Sequence, residues 1–184
     1  MNFGELINAQ KKTTWISKKS VILNEEESVS LIEMTQSTNG VLLYRATIDG
    51  FDSKAFHSKC DGIEKTVVII KNNLNYVFGG YTSAKWDCGS NSRYINGLFK
   101  TDPTAFIFSL RRNGIPKNDM FMVRKSEEAI CCSYYKGPSF GFNDIDIILK
   151  DQILKQVVTL TLVVHMNVLN WIMFTIKTKT IVVI

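Results

Sequence analysis

The alternation of apolar and polar positions along the chain predicts short strands separated by turn residues. A helix is predicted over 24–34, with a capping box that ends at Glu27, and a shorter helix from Ser53, with Asp52 as N-cap and Gly62 as its stop. Many short strands and only two helices predict a mainly β (α+β) fold, a two-sheet antiparallel β-sandwich flanked by short helices. The predicted strands cover residues 41–46, 66–71, 76–82, 104–110, 120–124, 129–134 and 145–149.

The segments between these strands carry turn chemistry. Asn72-Asn73 predicts a tight hairpin, and a turn is expected at Asp49-Gly50. The Ser/Asn/Gly-rich stretch 85–102 predicts a long surface loop, and the Gly/Pro-rich stretch 136–142 a second loop. We divide the chain into a lead-in (1–23), a domain (24–151) and an atypical apolar tail (152–184).

The tail permits two interpretations. Residues 157–176 carry no charge and are long enough to span a bilayer. However, His165, Asn167 and Asn170 would be costly in the centre of a membrane helix, and residues 159–168 alternate with period two, as a half-buried strand does. We therefore favour extended structure, with a tail-anchored membrane protein as the alternative. Membrane association is expected only if 157–176 inserts.

Composition narrows the function classes. The 184 residues are 45% hydrophobic and 21% charged, as expected for one globular domain. The net charge is +5, but Lys and Arg are scattered in pairs, so nucleic-acid binding is not expected. The first residues lack the apolar core of a signal peptide, and adjacent Cys131 and Cys132 cannot bridge each other without strain. We expect reduced thiols and an intracellular, cytoplasmic protein.

One cysteine has the sequence context of a reactive thiol. Cys60 follows Lys59 and lies close to His57, cations that favour thiolate. The alternative is a buried, inert cysteine that closes a short helix. Apart from His57, the sequence contains only His165, and it has no CxxC, HExxH, GxSxG or GxxxxGK[ST] motif. We therefore expect no metal, no cofactor and no enzymatic activity.

Six short motifs resemble, in order and spacing, the TLDc family of the oxidation-resistance and nuclear-receptor-coactivator-like proteins. The resemblance covers roughly residues 24–151. The sequence departs from the family pattern at two places. Phe142-Asn143 replaces a Gly-Gly pair after the glycine-rich loop, and the tail does not match the family's last strand. The residues that carry it are Asp49, Gly50 and Phe51; Cys60, Asp61 and Gly62; Phe78, Gly79 and Gly80; Trp86; Phe106 and Phe108; and Gly137 and Gly141.

The resemblance implies a fold and a class of function. Members of this eukaryotic family are linked to oxidative-stress protection, and some bind the vacuolar proton pump. It therefore implies a non-catalytic protein-interaction domain whose partners are proteins, with vacuolar proton pump subunits among them. The alternative from a different class is a thiol-based antioxidant that uses Cys60.

Overall fold

The computed structural model describes residues 20–37, 39–87, 97–141, 144–146, 168–177 and 180–181. In these residues the chain forms two antiparallel sheets and a few short helices, which confirms the predicted fold class. The helices are α1 (Glu25–Thr35), α2 (Ala46–Asp49) and α3 (Ser53–Cys60), with a 3₁₀ turn at Ser126–Glu128. The strands are β1 (Val41–Arg45), β2 (Thr66–Asn72), β3 (Val77–Thr82), β4 (Leu98–Lys100), β5 (Phe106–Arg112), β6 (Ile115–Met122), β7 (Ile130–Cys132), β8 (Ser139–Phe140), β9 (Ile145–Asp146), β10 (Val168–Lys177) and β11 (Thr180–Ile181).

The larger sheet has the strand order β1-β10-β2-β3-β5-β6, with β11 paired to β10, and the smaller has the order β4-β7-β8-β9. Successive side chains of β2 point to opposite faces of the larger sheet, so this sheet has two buried faces. Val68 and Ile70 pack with α3 and the smaller sheet, whereas Val67 and Ile69 pack with α1. The larger sheet is therefore the middle layer of the domain.

The predicted helix starts are confirmed in atomic detail. Asn24 caps α1, because its side chain accepts from the Glu27 amide at 2.8 Å and the Glu27 carboxylate accepts from the Asn24 amide at 3.0 Å. Asp52 caps α3 by accepting from the Ala55 amide at 2.7 Å. The structure adds the one-turn helix α2, where a strand end and a turn were predicted.

Three strand assignments from the sequence need correction. Strand β4 lies inside the predicted surface loop 85–102, and β8 lies inside the predicted loop 136–142. Both strands are short, with no alternating pattern long enough to detect. Strand β6 begins at Ile115 rather than at 120, because Asn113-Gly114, both at positive φ, form a tight hairpin turn after β5.

The tail contributes an interior strand. Residues 159–167 of the predicted tail strand lie outside the described residues, but β10 follows directly and is inserted between β1 and β2. Thr175 is opposite Val41 on one side and Thr66 on the other. Residues 168–177 therefore have the extended conformation predicted for the tail.

None of the described helices is long and apolar enough to cross a membrane.

Candidate functional site

The segment from β1 to α2 is held by the Asp-Gly pair of the first motif. The Asp49 carboxylate accepts from the Arg45 amide at 2.7 Å and from the Lys59 ammonium at 2.6 Å. Burial would raise the pKa of Asp49, but these hydrogen bonds outweigh it and lower the pKa. The Tyr44 hydroxyl donates to the Gly50 carbonyl, and Gly50 has φ +105, which favours glycine. Phe51 remains exposed.

The Cys60 thiol lies in the core between the two sheets, fully buried beside Phe56 and Trp86. Burial is the main reason that its pKa is raised well above the ordinary value, and the charge of Asp61 adds to this. In the folded state the thiol is therefore protonated and shielded from oxidants. A redox role for Cys60 stays a prediction, and it would require local opening of the domain.

His57 connects α3 to the loop that follows β7. Its Nδ1 is 2.9 Å from Asp61 Oδ1, and its Nε2 is 3.0 Å from the carbonyl oxygens of both Ser133 and Lys136. The Tyr134 ring stacks on the imidazole, with ring centroids 5.9 Å apart. All three partners are acceptors, so this arrangement suits the doubly protonated ring. Burial would lower the pKa of His57, but the hydrogen bonds and the Asp61 charge raise it.

This geometry predicts a pH dependence of stability. Because the folded-state pKa of His57 is raised, its contribution is complete below the unfolded pKa of about 6.5 and is lost as pH rises through the folded value. We expect His57→Gln to remove this decline, so that wild type and variant converge at alkaline pH. Urea unfolding measured from pH 5.5 to 9 checks this, with both proteins at matched ionic strength. A constant difference between them across that range would contradict the prediction.

Gly62 and Trp86 join the end of α3 to the end of β3. The Gly62 amide donates to the Trp86 carbonyl at 2.6 Å, and the Trp86 amide donates to the Ile63 carbonyl at 3.3 Å. The Trp86 indole is completely buried and donates from Nε1 to Thr66 Oγ1 at 2.7 Å. The indole therefore satisfies its single donor inside the core.

The Gly79-Gly80 pair allows close packing on both faces of β3. A Cβ on Gly79 would lie 1.8 Å from the Val68 carbonyl oxygen, and one on Gly80 would lie 2.7 Å from the Phe140 ring. Glycine is therefore required here by contact rather than by backbone conformation. Phe78 faces the core between the sheets, and Phe106 and Phe108 face α1.

The glycine-rich loop borders an open cleft. Gly137 is buried, and Gly141 has φ +63 with the Asp144 carboxylate close to where a Cβ would lie. The cleft has a volume of about 460 Å³ and combines an apolar floor with charged groups at its rim. Its lining residues are Ala105, Phe106, Ile107, Phe121, Met122, Val123, Arg124, Lys125, Glu128, Ala129, Phe140, Gly141 and Asp144. It is the best candidate for a binding site in the described part of the chain.

Sequence reasoning missed Asp102, a buried carboxylate that organises the turn before β5. It accepts from the Thr82 hydroxyl at 2.7 Å, from the Ser83 amide at 2.6 Å and from the Thr104 hydroxyl at 2.6 Å. Burial would raise the pKa of Asp102, but these hydrogen bonds outweigh that effect and lower the pKa below its ordinary value. The Asp-Pro-Thr sequence of 102–104 is a turn signal that could have identified it.

A buried ion pair across the domain was also missed. Arg111 donates from Nε and Nη2 to both carboxylate oxygens of Glu27, at 2.7 and 2.6 Å. This bidentate pair fixes α1 against β5. The two residues are far apart in sequence, so no local signal links them.

These observations define the class of protein: a two-sheet β domain whose signature residues build its core and turns. The family model of the TLDc domain matches residues 16–163, and the chain belongs to the TLDc family. No curated protein matches the chain. No cluster of three or more His, Cys, Asp or Glu side chains suited to a metal ion occurs among the residues the structure describes.

Proposed function

We propose that the chain is a non-catalytic protein-interaction domain that acts in oxidative-stress protection by binding the vacuolar proton pump in the cytoplasm. Membership of the TLDc family supports the class of function. One structural observation carries the choice of binding over chemistry: the Cys60 thiol is buried and protonated. A reactive cysteine has the opposite properties, namely exposure and a lowered pKa.

The cleft beside the glycine-rich loop is the surface we assign to the partner. The exposed apolar residues Phe121 and Met122 are among those that line it, and its rim carries Arg124 and Lys125. An apolar centre with a polar rim is the usual composition of a protein interface. Arg124 is exposed and Lys125 is within 3.5 Å of Glu128, so Arg124 is the rim cation we expect a partner carboxylate to contact.

A binding assay with purified vacuolar proton pump tests both parts of the proposal. The immobilised full chain should retain pump subunits, and Arg124→Glu should weaken retention by roughly tenfold, equivalent to about 1.4 kcal/mol. Lys54→Glu, the same charge reversal at an exposed position of α3, should bind as wild type does. Retention that is equal for all three proteins would place the interface elsewhere, and no retention by the wild type would contradict the proposed partner.

Cys60→Ala distinguishes the binding hypothesis from the thiol-based antioxidant hypothesis, both in the pump-binding assay and in peroxide-treated cells. If the domain acts by binding, Cys60→Ala should retain the pump and should protect cells from peroxide as well as wild type does. The substitution keeps a small apolar side chain in the core, so the fold should persist. Loss of protection by a folded Cys60→Ala protein that still binds the pump would favour the antioxidant alternative.

A further inference from the structure

Strand β6 is an exposed edge of the larger sheet. It pairs with β5 on one side and has no strand partner on the other side among the described residues. All but one of its eight residues are exposed, including Ile115 at 68% and Phe121 at 54%. A long edge strand with exposed apolar side chains is a template for pairing with another strand.

The register with β5 shows which β6 side chains share a face. Phe121 is opposite Ile107, which packs on the core between the sheets, so Phe121 lies on that face. Side chains alternate along a strand, which places Asp119 on the same face.

The β5–β6 register shifts between Ser109 and Arg111, so the start of β6 is placed from its own partners. Arg111 contacts Glu27 of α1, so its partner Pro116 lies on the α1 face. Lys117 and Ile115 therefore lie on the opposite face, which is the face of Phe121. The 3.4 Å contact between Lys117 Nζ and Asp119 Oδ1 agrees with this.

We propose that two copies of this chain pair through β6, antiparallel and about a two-fold axis at Asn118. In this register Lys117 of each copy is directly opposite Asp119 of the other. Ile115 of each copy is opposite Phe121 of the other. One face of the joined strands then carries two ionic pairs flanked by two apolar pairs, and each pair is of a type that stabilises neighbouring strands.

The neighbouring registers are disfavoured by charge. An axis at Lys117 would place the two Lys117 side chains opposite each other, and an axis at Asp119 would do the same with the two carboxylates. An axis between two residues would bring opposite faces of the two sheets together. The sequence from Ile115 to Phe121 is therefore self-complementary in one register only.

The backbone of β6 is compatible with this pairing. Arg112 and Ile115 flank a two-residue hairpin loop and are partners across it. Such a flanking pair is hydrogen-bonded, so Ile115 turns its backbone groups to β5. Val123 does the same at the other end, where its amide donates to the Ala105 carbonyl at 2.9 Å. The even-numbered residues between them therefore turn their backbone groups to the open edge on both sides of the register shift. Asn118, on the axis, is one of them. Pro116 is another and has no N–H, so each 116–120 pair would form one backbone hydrogen bond, from the Met120 amide to the Pro116 carbonyl. The resulting interface is isologous, so the assembly closes at two copies and does not extend into a fibre.

Sedimentation velocity of the full chain over a dilution series tests the proposal. Pairing of one strand covers less than a standard protein interface, so we expect a dimer that dissociates on dilution. Lys117→Asp and Asp119→Lys each create like-charged opposing pairs and should be monomeric where the unaltered chain is dimeric. Lys54→Asp, the same charge change on α3, should remain dimeric, and circular dichroism should show all proteins folded.

Mixing the two monomeric variants gives the decisive measurement. Lys117→Asp and Asp119→Lys are complementary to each other in the proposed register, so an equimolar mixture should recover the dimer. The double variant that exchanges the two charges should recover it as well. A monomeric wild type at every accessible concentration, a dimer indifferent to both reversals, or a mixture that fails to pair would each overturn the proposal.

Discussion

Replacing Ile172 with proline should prevent the domain from folding stably. Ile172 is in the middle of β10 and is opposite Arg45 on one side and Ile69 on the other. Proline removes a backbone donor from a strand that is paired along both edges. A buried acceptor left without its donor costs about 1–3 kcal/mol by itself, and the ring distorts both ladders in addition. Urea unfolding followed by tryptophan fluorescence measures the loss.

A matched proline on an edge strand provides the control. Leu98 is the first residue of β4, which pairs only with β7 among the residues that the structure describes, so Leu98→Pro should be tolerated far better than Ile172→Pro. Deletion of all residues after Asp151 removes β10 altogether, so it should also prevent stable folding and should lower solubility. A soluble, folded deletion variant would contradict the role of β10 as an interior strand between β1 and β2.

The second large effect is expected from Phe106→Ala. Phe106 is 5% exposed and packs in the core beneath α1, where it stacks on Tyr81 with ring centroids 5.1 Å apart. Truncation of a buried phenylalanine costs about 3–5 kcal/mol, because transfer free energy is lost and a cavity remains. Phe108 and Phe78, buried in the same sheet, should behave alike. Urea unfolding measures the lost free energy of unfolding, provided that the m-values of wild type and variant are equal.

Phe51→Ala is the matched control for this prediction. Phe51 belongs to a family motif but is 41% exposed, so its truncation should change the free energy of unfolding by less than about 1 kcal/mol. If Phe51→Ala proved as destabilising as Phe106→Ala, burial would not be what distinguishes the two phenylalanines. If Phe106→Ala left stability unchanged, the assignment of Phe106 to the core beneath α1 would be wrong.

The parts of the fold that depend on neighbouring residues were predictable from the sequence. The caps Asn24 and Asp52 act within one helical turn, and the β2–β3 hairpin joins strands that are close along the chain. Its loop, however, is residues 73–76 and not the tight turn predicted at Asn72-Asn73, because Asn72 is the last residue of β2. The position of β10 was not predictable, because its partners lie in β1 and β2, far away in sequence. Alternation identifies a strand and the face it buries, but it does not specify the strands on either side.

The candidate site shows the same division. The family motifs identified residues that the structure uses for packing and turns, such as Trp86 and Gly80. The sequence left two interpretations of Cys60 open, a thiol activated by His57 and Lys59 and a buried, inert cysteine, and the structure has the thiol fully buried. His57 instead bonds to Asp61 and to the loop after β7. Burial depends on tertiary packing, and in this domain it reverses the pKa shift expected from neighbouring charges.

The insertion of β10 between β1 and β2 has a consequence for biosynthesis. As the chain leaves the ribosome, β1 and β2 emerge early and must wait, unpaired with each other, until residues 168–177 have been made. Contacts of such large sequence separation make folding slow. Two open strand edges are meanwhile available to other nascent chains, which is the condition that recruits chaperones. Translation that stops before β10 would leave a polypeptide with a gap between β1 and β2 of the larger sheet, and we expect cells to degrade it.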